Sequence, residues 1–484
     1  MILIPPSIRA VLVSLMMALP VHAEFRTENF DREPPNWEGV NNRNKFFETK
    51  TVEQNFGYSA ETNHAGGQKG EAGGRINPAG EPAYYGFKLP KPIDLNTPMT
   101  AEGRLCVAKG PGNCLMGFFN AGTLSGWRTP NTMVARLNAR GGTFHCHTEY
   151  ATAKWRASAG VIGKIVLGSS ITPVEIPAGQ PLTWKLDYAP AADGGGMFNF
   201  HMAGATAACA IEPAHRRDGM TFTHFGLLPV LKSWDGAGDV WIDDVKVNGT
   251  AFDFSADPKW DESGNHRTYK SDDTRPKFDF GWSATHYAKG LRPGELGGLV
   301  FRGDCREPAR LGCYGDKLTP LTLKSKLEAR GKVTVLRAIS DSTASIGFYH
   351  SEHSMAVNAS QKHATPMDWL GINIEGPSSE GFFFYPVCRA HGDEAAVHGY
   401  DGGKAPRIYP DGKSRNWFLR YDPKGAGGNG EVTAGLDGQT CTMKLPPGLQ
   451  TTGATFDRFG ICTPWIDGNS VKVYFDDLTY TSSP

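Results

Sequence analysis

No excess of one charge sign marks this sequence: 50 lysines and arginines balance 50 aspartates and glutamates over 484 residues. Without a one-sided field, neither nucleic acid nor an anionic membrane surface is an expected partner. Beyond the N-terminus no apolar run is long enough to span a bilayer. Heptads and long amphipathic helical patterns are missing, which removes coiled coils and helical bundles. No Gly-x-Ser-x-Gly, P-loop or dinucleotide fingerprint occurs, so no organic cofactor is expected. Zinc-type CxxC spacing is also lacking.

What is present begins with "MILIPPSIRAVLVSLMMALPVHAEF". Arg9, the apolar "AVLVSLMMAL" and the small-residue end "VHA" read as a signal peptide over residues 1–23. Export to the periplasm or outside the cell follows, with mature chain from Glu24. Such a compartment permits disulfides among the nine cysteines. Cys106 with Cys114 and Cys305 with Cys313 bracket short Gly/Pro-containing loops and are the expected pairs. Cys146 with Cys209 and Cys388 with Cys441 are further candidates, leaving Cys462 odd.

An internal repeat organises the rest. "FGYSAETNHAGGQKGEAGG" from Phe56 returns as "FGWSATHYAKGLRPGELGG" from Phe280, 224 residues later. "WKLDY" from Trp184 returns as "WFLRY" from Trp417, and the copies close alike on "DVWIDDVKV" and "VKVYFDDLTY". The expected units are residues 24–249 and 250–484. Alternating apolar and polar residues, β-branched runs and the 59 glycines and 33 prolines predict many short strands. Only "TPLTLKSKLEARG" invites a helix, and it reads equally as two strands. The fold class is all-β: two tandem antiparallel β-sandwiches.

Copy length, strand spacing and the closing "WIDDVKV" and "YFDDLTY" strands resemble the concanavalin-like (laminin-G-type) jelly roll, in two copies. That resemblance implies one concave sheet per copy, a frequent structural calcium ion, and carbohydrate as the commonest ligand. Catalytic signatures of enzymes with this fold are missing, among them Glu-x-Asp-x-Glu and Gln-Ile/Val-His. "RTEN" at Arg26 lies at the mature terminus rather than within a sandwich.

In the closing strands, neighbouring side chains point to opposite faces, so one of Asp243 and Asp244, and one of Asp476 and Asp477, lies against a sandwich. A buried carboxylate needs backbone donors, a basic partner or a hard cation such as calcium. Asp31 and Asp253, near the start of each copy, join them if first and last strands pair. Glu71 and Glu295, in the repeated "GExGG", are acid or base candidates or shared structural clamps.

Residues that differ between copies are better markers of a unique site. In "GTFHCHTEY", a strand places His145, His147 and Glu149 on one face and Cys146 toward the core. Aligning Cys146 with Cys388 sets Val387, Arg389 and His391 opposite that trio. Tyr150, Trp155 and Arg156 follow, and Trp127 and Arg128 stand earlier in "SGWRTPN", the aromatic and charged types that a sugar needs. The second copy offers "YHSEHS", with His350, Glu352 and His353. Three readings of the trio compete: a polar groove facing a glycan, a metal site, or a solvated strand face.

Three functions compete in turn. The first is a secreted polysaccharide-cleaving enzyme, either a glycoside hydrolase or a polysaccharide lyase, with Glu71, His145, His147, Glu149 and Glu295 as catalytic candidates. The second is a non-catalytic glycan-binding protein. The third is a structural cell-surface protein.

Overall fold

The computed structural model describes residues 23–43, 49–126, 129–166, 170–360, 362–378, 381–392, 396–400 and 404–484. The expected leader falls outside these residues except for Ala23. The described residues form four large antiparallel sheets, two per sandwich. Among the described residues no helix is long and apolar enough to cross a membrane.

Alternation builds the strands. Trp184, Leu186 and Tyr188 point into the first core, and Trp417, Leu419 and Tyr421 into the second. Each buried tyrosine keeps its hydroxyl satisfied, Tyr188 by donating to the Leu95 carbonyl at 2.8 Å and Tyr421 to the Leu323 carbonyl at 2.7 Å. The ambiguous "TPLTLKSKLEARG" is two strands, the end of Cys313–Thr322 and the start of Leu327–Ala338.

In the first sandwich, one sheet runs Ala205–Ile211, Gly196–Met202, Leu182–Pro190, Met99–Val107, Gly238–Val247, Glu71–Ile76, Lys50–Ser59, His266–Ser271. The facing sheet runs Ala157–Val161, Thr143–Ala151, Thr132–Gly141, Gly110–Phe119, Thr221–Pro229, Tyr84–Asp94, Asp261–Ser263. The second sandwich repeats this order. Its groove-bearing sheet runs Val397–His398, Gly381–Arg389, Trp369–Ser378, Ser342–Tyr349, Thr455–Cys462, Cys313–Thr322, Trp37–Val40.

That last strand shows where the folded units depart from the linear repeat. Glu24–Glu28 pairs with the closing strand Ser470–Ser483, and Trp37–Val40 pairs with Cys313–Thr322. The corresponding places in the first sandwich are filled by Thr250–Phe252 and Asp261–Ser263. Phe30 and Trp37 therefore lie in the second core, and Phe254 and Trp260 in the first. The second sandwich is completed by an arm from the start of the chain, and the first by the segment that follows its own closing strand. The sequence boundary at residue 249 thus cuts through the first sandwich. Arg26 locks the arm by an ion pair to the buried Asp316, which also accepts from the Tyr480 hydroxyl at 2.7 Å.

The repeated glycine before Glu71 and Glu295 has a backbone cause. Gly70 and Gly294 have φ of +107° and +116°, and a Cβ there would come within 2.1 Å of the Phe254 carbonyl and 1.8 Å of the Phe30 carbonyl. Each arm passes too close to admit a side chain. Between the sandwiches, Trp155 stacks on Tyr409 with ring centroids 5.5 Å apart.

Among the described residues no disulfide joins the cysteines. The expected pair Cys106 and Cys114 is split between opposite sheets. Cys305 packs with Leu311 and Trp465, whereas Cys313 lies directly across a ladder from Cys462.

Candidate functional site

His145, His147 and Glu149 share one face of Thr143–Ala151, while Phe144, Cys146 and Tyr150 enter the core. The face is closed rather than open. His145 and Glu149 are buried. Arg136 places its Nε 3.0 Å from Glu149 Oε1. Burial, with Arg136 next, lowers His147 to about 4, so it stays neutral near pH 7.

The ladders correct the alignment of the copies. Gly117 pairs with Gly226, and Gly347 with Gly460, within the matching "HFGLL" and "RFGIC" strands. Counting outward, Leu115 faces Arg136, which faces His147; Ser345 faces Asn373, which faces Tyr385. His147 thus corresponds to Tyr385, and His145 and Glu149 to Phe383 and Val387. The alignment through Cys146 and Cys388 is out of step by four residues.

On this face the second copy has an open groove of about 430 Å³. Arg302, Asn373, Glu375, Tyr385, His398 and Tyr400 supply its polar and aromatic wall. Tyr385 donates a short hydrogen bond to Glu375 Oε2. Arg302 holds the other oxygen of Glu375 at 3.1 Å and the Thr343 hydroxyl at 2.8 Å. Ser345 donates to Asn373 Oδ1 at 2.8 Å. Burial, and next the Glu375 carboxylate, push the Tyr385 phenol far above its ordinary value. It remains a proton donor at every physiological pH. Tyr400 stands edge-on to Phe383 at 4.6 Å and to Tyr385 at 5.7 Å, and exposed His398 lies 6.3 Å from the Tyr385 ring.

The other expected residues lie elsewhere. Tyr150 turns inward, its hydroxyl 2.9 Å from His215 Nδ1. Trp155 packs between the copies on Tyr409 and Phe382. Arg156 is buried, with its Nε on Asp218 at 2.5 Å. Trp127 and Arg128 lie outside the described residues.

Glu71 is fully buried and accepts from the amides of His64 and Ala65 at 2.9 and 2.8 Å; Glu295 accepts from those of Tyr287 and Ala288 at 2.9 and 2.7 Å. Both clamp a loop, and neither lines the groove.

The aspartate pairs divide as the pleat requires. Asp243 and Asp476 are fully buried, and each accepts from the following amide at 2.7 Å on Oδ1. Among the described residues, each leaves Oδ2 buried without a partner. Burial is the main cause that raises both to about 7. Asp244 pairs with Arg104 at 3.0 Å and Asp477 with Lys332 at 3.2 Å. First and last strands do pair, but Asp31 sits 3.5 Å from Arg292 and Asp253 caps Ser255, both at the surface. In this arrangement Asp31 and Asp253 serve surface contacts rather than the buried carboxylates.

No family model and no curated protein matches the chain. Among solved structures it is similar to the Emp47p carbohydrate recognition domain, at 10% identity over 43% of this chain and 92% of that one, TM-score 0.27. It is similar to mouse laminin α1 domains LG4-5, at 11% identity over 91% and 99%, TM-score 0.22. It is also similar to endo-β-1,4-glucuronan lyase from Trichoderma reesei, at 13% identity over 44% and 95%, TM-score 0.25. Laminin domains are thus among the similar structures, as in the sequence resemblance, while the fold itself stands on the chain's own ladders.

Proposed function

We propose that the protein is an exported polysaccharide-cleaving enzyme that works by elimination on a uronate-containing glycan in the groove of the second sandwich. The observation that carries this reading is Tyr385, held protonated in a groove whose lining, among the described residues, includes one carboxylate, Glu375. Hydrolysis with retention or inversion ordinarily uses two carboxylates across the scissile bond. Elimination needs a base, an acid and a donor for the sugar carboxylate. His398 takes the ring proton beside the sugar carboxylate. Its electron pair forms the new C=C bond as the glycosidic C–O bond breaks. Tyr385 gives its proton to the departing oxygen, and Glu375 orients the phenol. Asn373 and Arg302 face the sugar carboxylate, and Tyr400 and Phe383 offer ring faces for stacking.

A structural calcium ion belongs to the same proposal. The buried, unpartnered Oδ2 atoms of Asp243 and Asp476 are hard oxygen donors that a cation would satisfy. Asp244 and Asp477 would supply further oxygens.

The test is a panel of neutral and uronate-containing polysaccharides, followed for new reducing ends and unsaturated-uronate absorbance together. Both signals should rise on a uronate polymer. Reducing ends without absorbance would replace elimination by hydrolysis. Neither signal, with retention on an insoluble glycan, would leave a non-catalytic binding protein.

A further inference from the structure

We propose that His353, Asp368 and His391 bind one divalent transition-metal ion at the end of the second sandwich. The three come from separate segments that meet at one end of three neighbouring strands of the groove-bearing sheet. His353 opens a short 3-10 turn after Ser342–Tyr349, Asp368 immediately precedes Trp369–Ser378, and His391 follows Gly381–Arg389 by two residues. His353 Nδ1 lies 2.6 Å and His391 Nδ1 3.2 Å from the same oxygen, Asp368 Oδ2. One ligand atom from each residue falls within 4.8 Å of the other two.

The second oxygen is what points to a ligand. Asp368 is fully buried, yet among the described residues its Oδ1 has no hydrogen-bond partner. Hydrogen bonding alone would spread two imidazole donors over two carboxylate oxygens. Here both rings converge on one oxygen, which gathers three possible ligand atoms at one point. Zinc-like bonds of about 2.0–2.2 Å in a tetrahedron set neighbouring ligand atoms about 3.3 Å apart, so small adjustments admit an ion. Two imidazoles and one carboxylate suit zinc, cobalt or nickel, whereas calcium takes six to eight oxygens. Both histidine side chains are partly exposed, at 35% and 46%, which gives the ion an entry path and leaves a fourth position for water.

The first copy shows that the fold itself does not need these residues. By the ladders, Asp368 corresponds to Asn131 and His391 to Ala153. Asn131 shares the left-handed backbone of Asp368, with φ of 60° against 49°. Both ends of its amide are engaged, the oxygen accepting from Thr221 N at 3.0 Å and the nitrogen donating to Thr123 Oγ1 at 3.4 Å. The second copy replaces this neutral arrangement with a buried carboxylate and two imidazoles. The loop is also held ready: Ser354 donates to the Met367 carbonyl at 2.6 Å, and Trp465 Nε1 to the Ser354 carbonyl at 2.8 Å.

The experiment titrates the chelator-treated full mature chain with cobalt(II), reading visible absorption and bound metal after dialysis. One equivalent should bind with d–d bands, and zinc should displace it. D368N and H391A copy the residues of the first sandwich, so both should fold, as thermal melts will verify. Each should weaken cobalt binding at least 10-fold, while H201Q in the first copy should not. Absence of a stoichiometric site would overturn the proposal, as would unchanged binding in both variants. Metal uptake is read without any activity, so the result stands whether or not the groove cleaves a glycan.

Discussion

Replacing Asp476 with asparagine should stabilise the second sandwich at high pH and do little at low pH. The side chain is fully buried, with Oδ2 unpartnered, and burial and the nearby Asp477 and Glu295 charges raise it to about 7 from an ordinary 3.8. The unfolded chain releases this proton near pH 4, whereas the folded chain keeps it to about pH 7. Below pH 4 both states are protonated and nothing is lost. Between pH 4 and 7 the unfolded state gains, and above pH 7 the loss is complete. Three pKa units at about 1.4 kcal/mol each make that loss roughly 4 kcal/mol, of which about 2.5 kcal/mol falls between pH 5 and 8. Asparagine keeps the Oδ1 acceptor for the Asp477 amide and has no charge to bury. Urea denaturation at pH 5 and pH 8, in chelator, compares the wild type with D476N. The variant's advantage should grow by about 2.5 kcal/mol across that interval. An equal pH dependence in both proteins would refute the reasoning. Calcium should remove the deficit of the wild type's second sandwich at pH 8 and leave the second sandwich of D476N unmoved, because the ion stabilises the charged form.

Three further outcomes follow from the arm, the cysteines and the contact between copies. Deleting residues 24–43 should unfold the second sandwich alone, since Phe30 and Trp37 are core side chains there and each contributes about 2–3 kcal/mol by burial. Calorimetry should then retain the first sandwich's transition and lose the second's, and a melt identical to that of the full chain would contradict the strand pairing of the arm. Under oxidising conditions peptide mapping should find Cys313 joined to Cys462, which face each other across a ladder, because that spacing suits a disulfide. A Cys305–Cys313 bond would contradict the fold. W155A should remove the stack on Tyr409 and separate the melting of the two sandwiches, at a cost of about 1 kcal/mol beyond lost burial area.

Much of the architecture was legible because the repeat carries its own checks. "WKLDY" and "WFLRY" alternate as strands must, and both bury the same three positions. The arm exchange was not legible, because pairing between residue 26 and residue 480 leaves no local mark. Phe30 and Phe254, one in each arm, were the faint trace of it. The pleat placed His145, His147 and Glu149 on one face correctly. It could not show that this face is closed in the first copy and open in the second. Tyr385 was hidden inside "FFFYPV", which reads as a buried run, and the cysteine-based alignment moved it away from His147. Asn373 and Glu375 did leave a signal: they alternate with Ile372 and Ile374 in "GINIEG", an apolar-in, polar-out strand. Glu71 and Glu295 show the converse, since their doubling marks a structural clamp.

The most direct test of the groove compares the wild type with Y385F on the uronate polymer cleaved fastest. Phenylalanine keeps the ring and removes the proton that the departing oxygen needs. The account predicts a rate loss of about 10²-fold or more, with glycan retention intact, as general acid–base groups contribute on that scale. A Y385F protein that forms unsaturated products at the wild-type rate would contradict it.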